Sequence, residues 1–208
     1  MFYRPDAPDA PRTGILNAIV LPRPIGWISS LDAEGRPNLA PYSFFNAVAY
    51  RPPQVMFAAT GPHERGGFKD SFANIAATRE FVVNLATWEL REAVNASSIA
   101  APHGFDEFEH AGLGKLPATT VKPWRVAGSP VHLECVLAQI VELESPGPDQ
   151  PARMVIGRVT GVHIADEVFV DGKVDPLRLD AIARLGYNQY ARVRDVFAMT
   201  RPKWPQDN

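Results

Sequence analysis

The chain lacks the residues and patterns that would indicate a disulfide scaffold, a cysteine-rich metal site or a membrane protein. Its single cysteine, Cys135, excludes an internal disulfide and any CxxC metal ribbon, and fits a reducing cytoplasm. No apolar run approaches the roughly 20 residues of a membrane span. Residues 1–12 contain Asp and Pro in place of a basic segment followed by an apolar one, so no secretory signal is predicted. We therefore expect a cytoplasmic protein with no membrane partner.

The chain also lacks an excess of either positive or negative charge. The formal net charge is −2, and the basic residues are scattered without long clusters, so nothing favours binding to nucleic acid or to an anionic membrane. With 46% hydrophobic residues, a chain of 208 residues can bury one substantial core. The sequence therefore predicts a single domain over residues 1–208.

Several catalytic signatures are missing as well. The chain has no G-x-S-x-G, G-x-x-x-x-G-K-[ST], G-x-G-x-x-G or H-E-x-x-H motif. His103 and His110 enclose several acidic residues, but a solvated acidic loop or helix is favoured over a metal site there, and no metal site is predicted. Cys135 lies in an apolar strand, which favours a buried and inert thiol.

What the chain does have is a series of short apolar runs bounded by proline and glycine. Nearly continuous or alternating runs predict strands, and 3.6-residue spacing predicts a few helices. The predicted strands span 18–21, 26–31, 38–42, 54–60, 81–85, 131–142 and 154–164; the predicted helices span 70–79, 89–100 and 177–184. A hairpin turn is predicted at 32–35 and another around 171–172. Successive strands with few helices between them favour an antiparallel barrel with peripheral helices.

Three blocks of sequence, 22–46, 55–61 and 69–75, together suit a planar ligand that carries a phosphate. The polar and aromatic residues Ser43, Phe44, Phe45 and Asn46 are predicted to form a loop at the end of a strand. Thr60 adds a hydroxyl at the end of another strand. Lys69 supplies a cation beside the free N–H groups of a helix start, which is a favourable place for an anion. We expect Asp70 or Ser71 to cap that helix.

Each of these features also has a purely structural interpretation. Phe44 and Phe45 can simply close the end of the barrel, and an isolated Lys69 is most often solvated. Trp27 within a strand is more often a core residue than a ligand contact. For His163, a core position and a ligand-facing position are evenly balanced. The ligand-binding hypothesis therefore depends on the three blocks taken jointly.

Sequence motifs along most of the chain make it resemble the flavin reductase-like, FMN-binding split-barrel family. The resemblance covers about residues 15–192, in order and with ordinary spacing. It is carried by RPIGWISS (23–30), NLAPYSFFN (38–46), PPQVMF (52–57), KDSFANI (69–75), EFVVNL (80–85), SPVHLEC (129–135), GRVTGVHI (157–164) and ARLG (183–186). The resemblance implies an antiparallel, Greek-key-like split barrel that forms a homodimer with FMN at or near the subunit interface.

The resemblance also implies roles for individual residues. The implied FMN contacts are Trp27, Ser29, Ser43, Phe44, Phe45, Asn46, Ala59, Thr60, Lys69, Asp70 and Asn74. Lys69, Asp70 and Asn74 would lie near the ribityl-phosphate, and Ala59 and Thr60 beside the ring and ribityl chain. His163 and Arg184 resemble residues that border the nicotinamide or substrate side.

The activity that the resemblance implies is an FMN-dependent NAD(P)H:flavin oxidoreductase. The cofactor then performs the chemistry, which agrees with the lack of a catalytic dyad in the sequence. Reduced flavin would pass electrons to oxygen, to iron or to a partner monooxygenase. The main alternative is an FMN-binding electron-transfer or carrier protein without nicotinamide turnover, and an activity of the pyridoxamine-phosphate-oxidase type ranks below both.

Overall fold

A seven-stranded antiparallel sheet organises the protein. The computed structural model describes residues 2–5, 7–8, 10 and 14–204. In chain order the elements are α1 (Ile15–Ile19), β1 (Arg23–Pro24), β2 (Gly26–Leu31), β3 (Pro37–Tyr42), β4 (Phe45–Tyr50), β5 (Pro53–Thr60), α2 (Asp70–Thr78), β6 (Glu80–Leu85), α3 (Arg91–Ala96), α4 (Glu107–His110), β7 (Lys115–Leu116), β8 (Arg125–Val126), β9 (Val131–Glu142), β10 (Ala152–Ile164), a 3₁₀ turn (Asp166–Val168), β11 (Phe169–Val170), β12 (Lys173–Val174), α5 (Pro176–Leu179), β13 (Ile182–Arg184) and β14 (Tyr190–Arg192). Within this described part, no helix has the length and apolarity that a membrane crossing requires.

The strand order of the main sheet is β3-β2-β6-β9-β10-β5-β4, and every neighbouring pair is antiparallel. Its longest pairing is the predicted hairpin of β9 and β10, which contains two register shifts. Within the described residues, short strands form three smaller sheets, among them β1-β13-β14. The prediction of a mainly β, antiparallel fold with peripheral helices is confirmed.

The hairpin of β2 and β3 follows directly from its turn sequence. The Asp32 carboxylate accepts the backbone N–H groups of Glu34 and Arg36, at 3.0 and 2.8 Å. Gly35 takes a φ of 82°, which a residue with a side chain adopts only at a cost. The turn thereby fixes the register that pairs Gly26 with Tyr42.

Two buried clusters form the apolar interior. The first includes Phe57, Phe81 and Cys135 on the main sheet together with side chains of α2. Cys135 is fully buried, as predicted for an inert thiol, and burial raises the pKa of its thiol. The second cluster lies around Trp27 and Phe108, with Leu39, Val94, Val126 and Ile182 among its other members.

Two predicted elements are wrong in type. Residues 18–21 do not form a strand, because the chain is helical over Ile15–Ile19 and its apolar side chains face outward. A short apolar run cannot be assigned from periodicity alone. The predicted helix 177–184 ends at Leu179, since Asp180 takes a left-handed conformation with a φ of 47°. The residues that follow form β13, which pairs with β1 and β14.

Other predicted boundaries also shift. The second helix spans only Arg91–Ala96, and the segment 101–130 contains α4 and the small β7-β8 pair. Only Ser43 and Phe44 form the predicted loop, because Phe45 and Asn46 already belong to β4. This strand lies at the edge of the sheet and leaves Tyr50 94% exposed.

Candidate functional site

A cavity of about 430 Å³ opens where the ends of β3 and β5 meet the start of α2 and the segment 97–101. Five residues predicted from the sequence line it, and they come from all three blocks after their folding into the sheet: Ser43, Phe44, Thr60, Lys69 and Asp70. The joint interpretation of the blocks is therefore consistent with the geometry at these five positions.

Lys69 is the most informative of the five. It occupies the N-cap position of α2 with extended backbone angles, and no side chain caps the helix. Among the residues that the structure describes, no acid or hydrogen-bond acceptor contacts its ammonium group. Partial burial lowers the pKa of Lys69 from its usual value. A half-buried cation without a partner, beside free backbone N–H groups, favours an anion in the cavity.

Asp70 was expected as one of two candidate caps of α2, but its carboxylate does not cap the helix, because it is hydrogen-bonded to His103. Asp70 is the first residue of the helix, and it accepts a hydrogen bond from Nδ1 of His103. The ring of His103 stacks on that of His63, with centroids 3.9 Å apart and planes inclined by 21°. The start of α2 therefore keeps its backbone N–H groups free of a capping side chain.

The floor of the cavity carries a network of neutral polar groups. Nδ2 of Asn38 donates to the hydroxyls of Ser71 and Ser30, at 2.8 and 3.2 Å. Asn74 donates to the same Ser30 hydroxyl at 3.2 Å and is one turn removed from the cavity lining. Burial raises the pKa of Tyr42 to about 12, against a smaller opposite effect of its hydrogen bond with Ser71. These groups stay neutral and can orient a polar ligand.

Glu107 is a functional candidate that sequence reasoning missed. It lies on α4, is only 5% exposed and lines the cavity. Its carboxylate accepts the backbone N–H of Leu39 at 2.9 Å. Burial is the main cause that raises the pKa of Glu107 to about 7. The capping pattern of Asp106 and Glu109 could have located a short helix, but nothing in the acidic run indicated that Glu107 alone points inward.

Two of the predicted FMN contacts, Trp27 and Ser29, are core residues. Trp27 is 0% exposed, and its indole N–H donates to the hydroxyl of Ser97 at 2.9 Å. Ser29 is also fully buried and donates to the carbonyl of Trp124 at 2.5 Å. Neither residue lines the cavity, because β2 is flanked by β3 and β6 and is buried on both faces. Trp27 thus has the core position that its place in a strand favoured, and Ser29 lies buried on the same strand.

Three further predicted contacts also lie off the cavity lining. The ring of Phe45 packs against Gly26, where any side chain would collide with it. Ala59 is buried on the inner face of β5. Asn46 is exposed on β4, and its side-chain oxygen accepts the N–H of Ala47 at 2.8 Å.

His163 and Arg184 do not reach the cavity either. Nε2 of His163 donates to the buried carboxylate of Glu134 at 2.5 Å. Burial alone would raise the pKa of Glu134, but hydrogen bonds from Thr120, Thr119 and His163 outweigh it and lower the value to about 2. The Glu134 carboxylate is therefore a buried charge that is hydrogen-bonded within the protein, and its role is structural, within the sheet.

Arg184 pairs across neighbouring strands with a second arginine, Arg23, and neither residue lines the cavity. Arg184 donates to the hydroxyl of Tyr190 at 2.8 Å, whereas the adjacent Arg23 donates to the carbonyl of Leu185 at 2.9 Å. Nε of Arg23 also contacts the Ser43 hydroxyl at 3.5 Å. Arg23 therefore contacts the β3–β4 connection, and its shorter hydrogen bond to the carbonyl of Val20, at 2.7 Å, joins it to the end of α1; the sequence did not suggest these contacts.

The residues present fit a phosphate-bearing planar ligand such as FMN. The cavity volume falls within the roughly 300–1,000 Å³ of small-molecule sites. Lys69 offers the positive charge, Ser43 and Thr60 offer hydroxyls, and Phe44 offers an aromatic face that is partly exposed.

Comparisons with known proteins agree with this arrangement. The family model of the flavin reductase like domain matches residues 18–178. An uncharacterized protein of Halalkalibacterium halodurans is 34% identical over 193 residues, which are 93% of this chain and 92% of the relative. The crystal structure of nitrilotriacetate monooxygenase component B from Bacillus cereus superimposes with a TM-score of 0.87 at 27% identity, covering 96% of this chain and 98% of that one.

A further structural neighbour defines the architecture. A protein from Shewanella frigidimarina, described as a flavin reductase with a split barrel domain, has a TM-score of 0.78 at 21% identity and covers 90% of both chains. The split-barrel prediction is thereby confirmed. The comparisons support a flavin-related oxidoreductase, and the chain belongs to the flavin reductase-like domain family.

Proposed function

We propose that the protein is an FMN-binding, NAD(P)H-dependent flavin reductase with FMN held in the cavity. The single observation that carries this proposal is the Lys69 ammonium at the start of α2, inside the cavity, which has no partner among the residues with described coordinates. A phosphate there would receive both the lysine charge and the backbone N–H groups of the helix start. Bound FMN would supply the hydride acceptor that no side chain of the cavity provides.

The predicted residues that line the cavity then have binding roles. The hydroxyls of Ser43 and Thr60 would hydrogen-bond polar atoms of the ring or the ribityl chain. Phe44 would pack against the ring. Asp70, retained by His103, would leave the helix N–H groups to the phosphate. Asn74 would act indirectly, because it supports Ser30 and the polar floor.

A homodimer with FMN near the interface is also part of the proposal. Leu16 and Ile19 of α1 are 67% and 68% exposed, and Asn17 between them lines the cavity. Edge strand β4 exposes Val48 and Tyr50. Large exposed apolar surfaces typically mark protein interfaces. A second copy covering α1 would therefore place its own surface beside the cavity.

The likeness to a monooxygenase component B suggests where the electrons go. We propose that reduced flavin passes to a partner monooxygenase, and that the protein acts in the cytoplasm. Its single buried cysteine is compatible with that compartment.

One observation favours the alternative, an FMN-binding electron carrier. His163 and Arg184 were the residues expected on the nicotinamide side, and both lie off the cavity lining. In the reductase, the nicotinamide would therefore be received at the open side of the cavity by other groups, or by the second subunit. In the carrier, no nicotinamide would need to enter.

An anaerobic absorbance experiment separates the two candidates. Purified protein is loaded with FMN, and NADH and then NADPH are added in the absence of oxygen. Bleaching of the flavin within seconds supports the reductase and identifies the donor. Bleaching only by dithionite supports the carrier, and failure to retain FMN contradicts both.

The phosphate contact is tested by Lys69→Ala, with Lys173→Ala as the matched control on exposed strand β12. Loss of a hydrogen bond to a charged group costs about 1–3 kcal/mol, which corresponds to a roughly fivefold to 150-fold weaker affinity. We expect this loss in a fluorescence titration with FMN for Lys69→Ala only. Equal FMN affinity in both variants would place the phosphate elsewhere.

A further inference from the structure

Three side chains that can ligate a metal meet at the rim of the cavity. His63, Asp70 and His103 each offer one ligand atom, and these atoms lie within 4.8 Å of one another. They come from three separate segments: the connection from β5 to α2, the start of α2, and the segment before α4. In the part of the chain with described coordinates, this is the only such group of three.

The hydrogen bonds of His63 leave one ring nitrogen suited to a metal. Its Nε2–H donates to the carbonyl of Ala101 at 2.9 Å. Metal-bound histidines generally make this type of hydrogen bond with the nitrogen that does not bind the metal, which fixes the ring orientation. Nδ1 accepts the backbone N–H of Arg65 at 3.1 Å. Arg65 lies on an exposed loop, so water can accept this N–H when Nδ1 binds a metal.

Asp70 and His103 are already joined by a hydrogen bond at the place where a cation would bind. Nδ1 of His103 donates to Oδ1 of Asp70, and the imidazole of His103 stacks on that of His63. A cation between these groups would replace the proton of this hydrogen bond. Two imidazoles and one carboxylate are the ligands that zinc and similar divalent ions accept, with a position left for water.

We propose that His63, Asp70 and His103 form a binding site for a divalent transition-metal ion of the zinc type. His63 is the most buried and His103 the most exposed of the three, so the ion would enter from solvent on the His103 side. Binding would tie the three segments together at the cavity rim. This site adjoins the proposed FMN site, since His63 and Asp70 also line the cavity, but its ligands do not include FMN, and it can therefore exist whether or not FMN binds.

The test is a calorimetric titration of Zn²⁺ into tag-free protein without FMN. We expect one saturable site per chain, and an affinity at least about tenfold weaker in His63→Ala and in His103→Ala, since even indirect ligand partners cost that much. His110→Ala is the matched control, because His110 is an exposed histidine of α4 whose ring lies against Phe105. It should bind Zn²⁺ as the wild type does.

Co²⁺ gives a second readout in the same variants, since its visible absorption reports the ligands around it. The spectrum should change on binding to the wild type and to His110→Ala, and be lost in His63→Gln and Asp70→Asn. Thermal melts without metal confirm that each variant folds. Absence of saturable binding, equal affinity in all variants, or an equal loss in His110→Ala would each overturn the proposal.

Discussion

The buried carboxyl of Glu107 should make the stability of the protein depend on pH in a predictable direction. The side chain is 5% exposed, faces the cavity and accepts one hydrogen bond, from the N–H of Leu39. Burial opposes its charged form, and its pKa rises from 4.5 to about 7. Glu107→Gln keeps the size of the side chain and an oxygen that can accept the same hydrogen bond, but it removes the titrating group.

The magnitude follows from the two pKa values. A rise from 4.5 to about 7 corresponds to about 3 kcal/mol, at about 1.4 kcal/mol per pKa unit. Between these values the folded protein binds more protons at Glu107 than the unfolded chain does. The contribution of Glu107 to stability is therefore fully present below about pH 4.5, declines as the pH rises, and is lost above about pH 7.

The assay is urea denaturation of the wild type and of Glu107→Gln without FMN, at intervals from about pH 4.5 to 8. The free energy of unfolding of the wild type should fall relative to the variant by about 2–3 kcal/mol across this range. Comparison with the variant cancels the titration of all other groups. A difference that stays constant with pH would refute the reasoning, because Glu107 would then ionise equally in both states.

Three further predictions concern the sheet. Glu134→Gln should lower the free energy of unfolding, measured by urea denaturation, by about 2–3 kcal/mol, because the fully buried carboxylate accepts several strong hydrogen bonds. His163→Ala should lower it by less, and equal losses in the two variants would contradict this assignment. Gly157→Ala should lower the melting temperature through a cost of about 1–3 kcal/mol, since a Cβ there would lie 2.3 Å from the ring of Phe81, and an unchanged melt would mean that this ring shifts freely. The Cys135 thiol should react with a disulfide reagent only in denaturant, and rapid reaction of the native protein would show that burial does not protect it.

The sequence predicted the strands of the sheet best where apolar runs were bounded by turn residues. The hairpin of β2 and β3, and the long pair of β9 and β10, have nearly the predicted limits. Predictions failed where a short apolar run had no pairing partner, as at 18–21, and where Asp180 reversed the chain inside a predicted helix. Those two outcomes depend on tertiary packing and on a left-handed backbone conformation, neither of which an apolar pattern reports.

Site prediction depended on which face of a strand a residue occupies. Residues predicted at strand ends, such as Ser43 and Thr60, line the cavity. Trp27 and Ser29 lie in the core instead, because β2 is buried on both faces and shows no alternation that could identify a ligand side. Glu107 was missed because it lies in an acidic run that was interpreted as solvated, and nothing in this run distinguishes the one carboxyl that faces inward.

The position of Asp70 connects the two proposals made for the cavity. As an N-cap, its carboxylate would occupy the N–H groups at the start of α2 and repel a phosphate. The structure instead has Lys69 at the N-cap and turns Asp70 toward His103. This orientation of the Asp70 side chain leaves the N–H groups at the start of α2 available to an anion. It also places the Asp70 carboxylate beside the two histidines that could bind a metal. Asp70→Ala should consequently abolish tight Zn²⁺ binding while leaving the positive charge of Lys69 available to FMN.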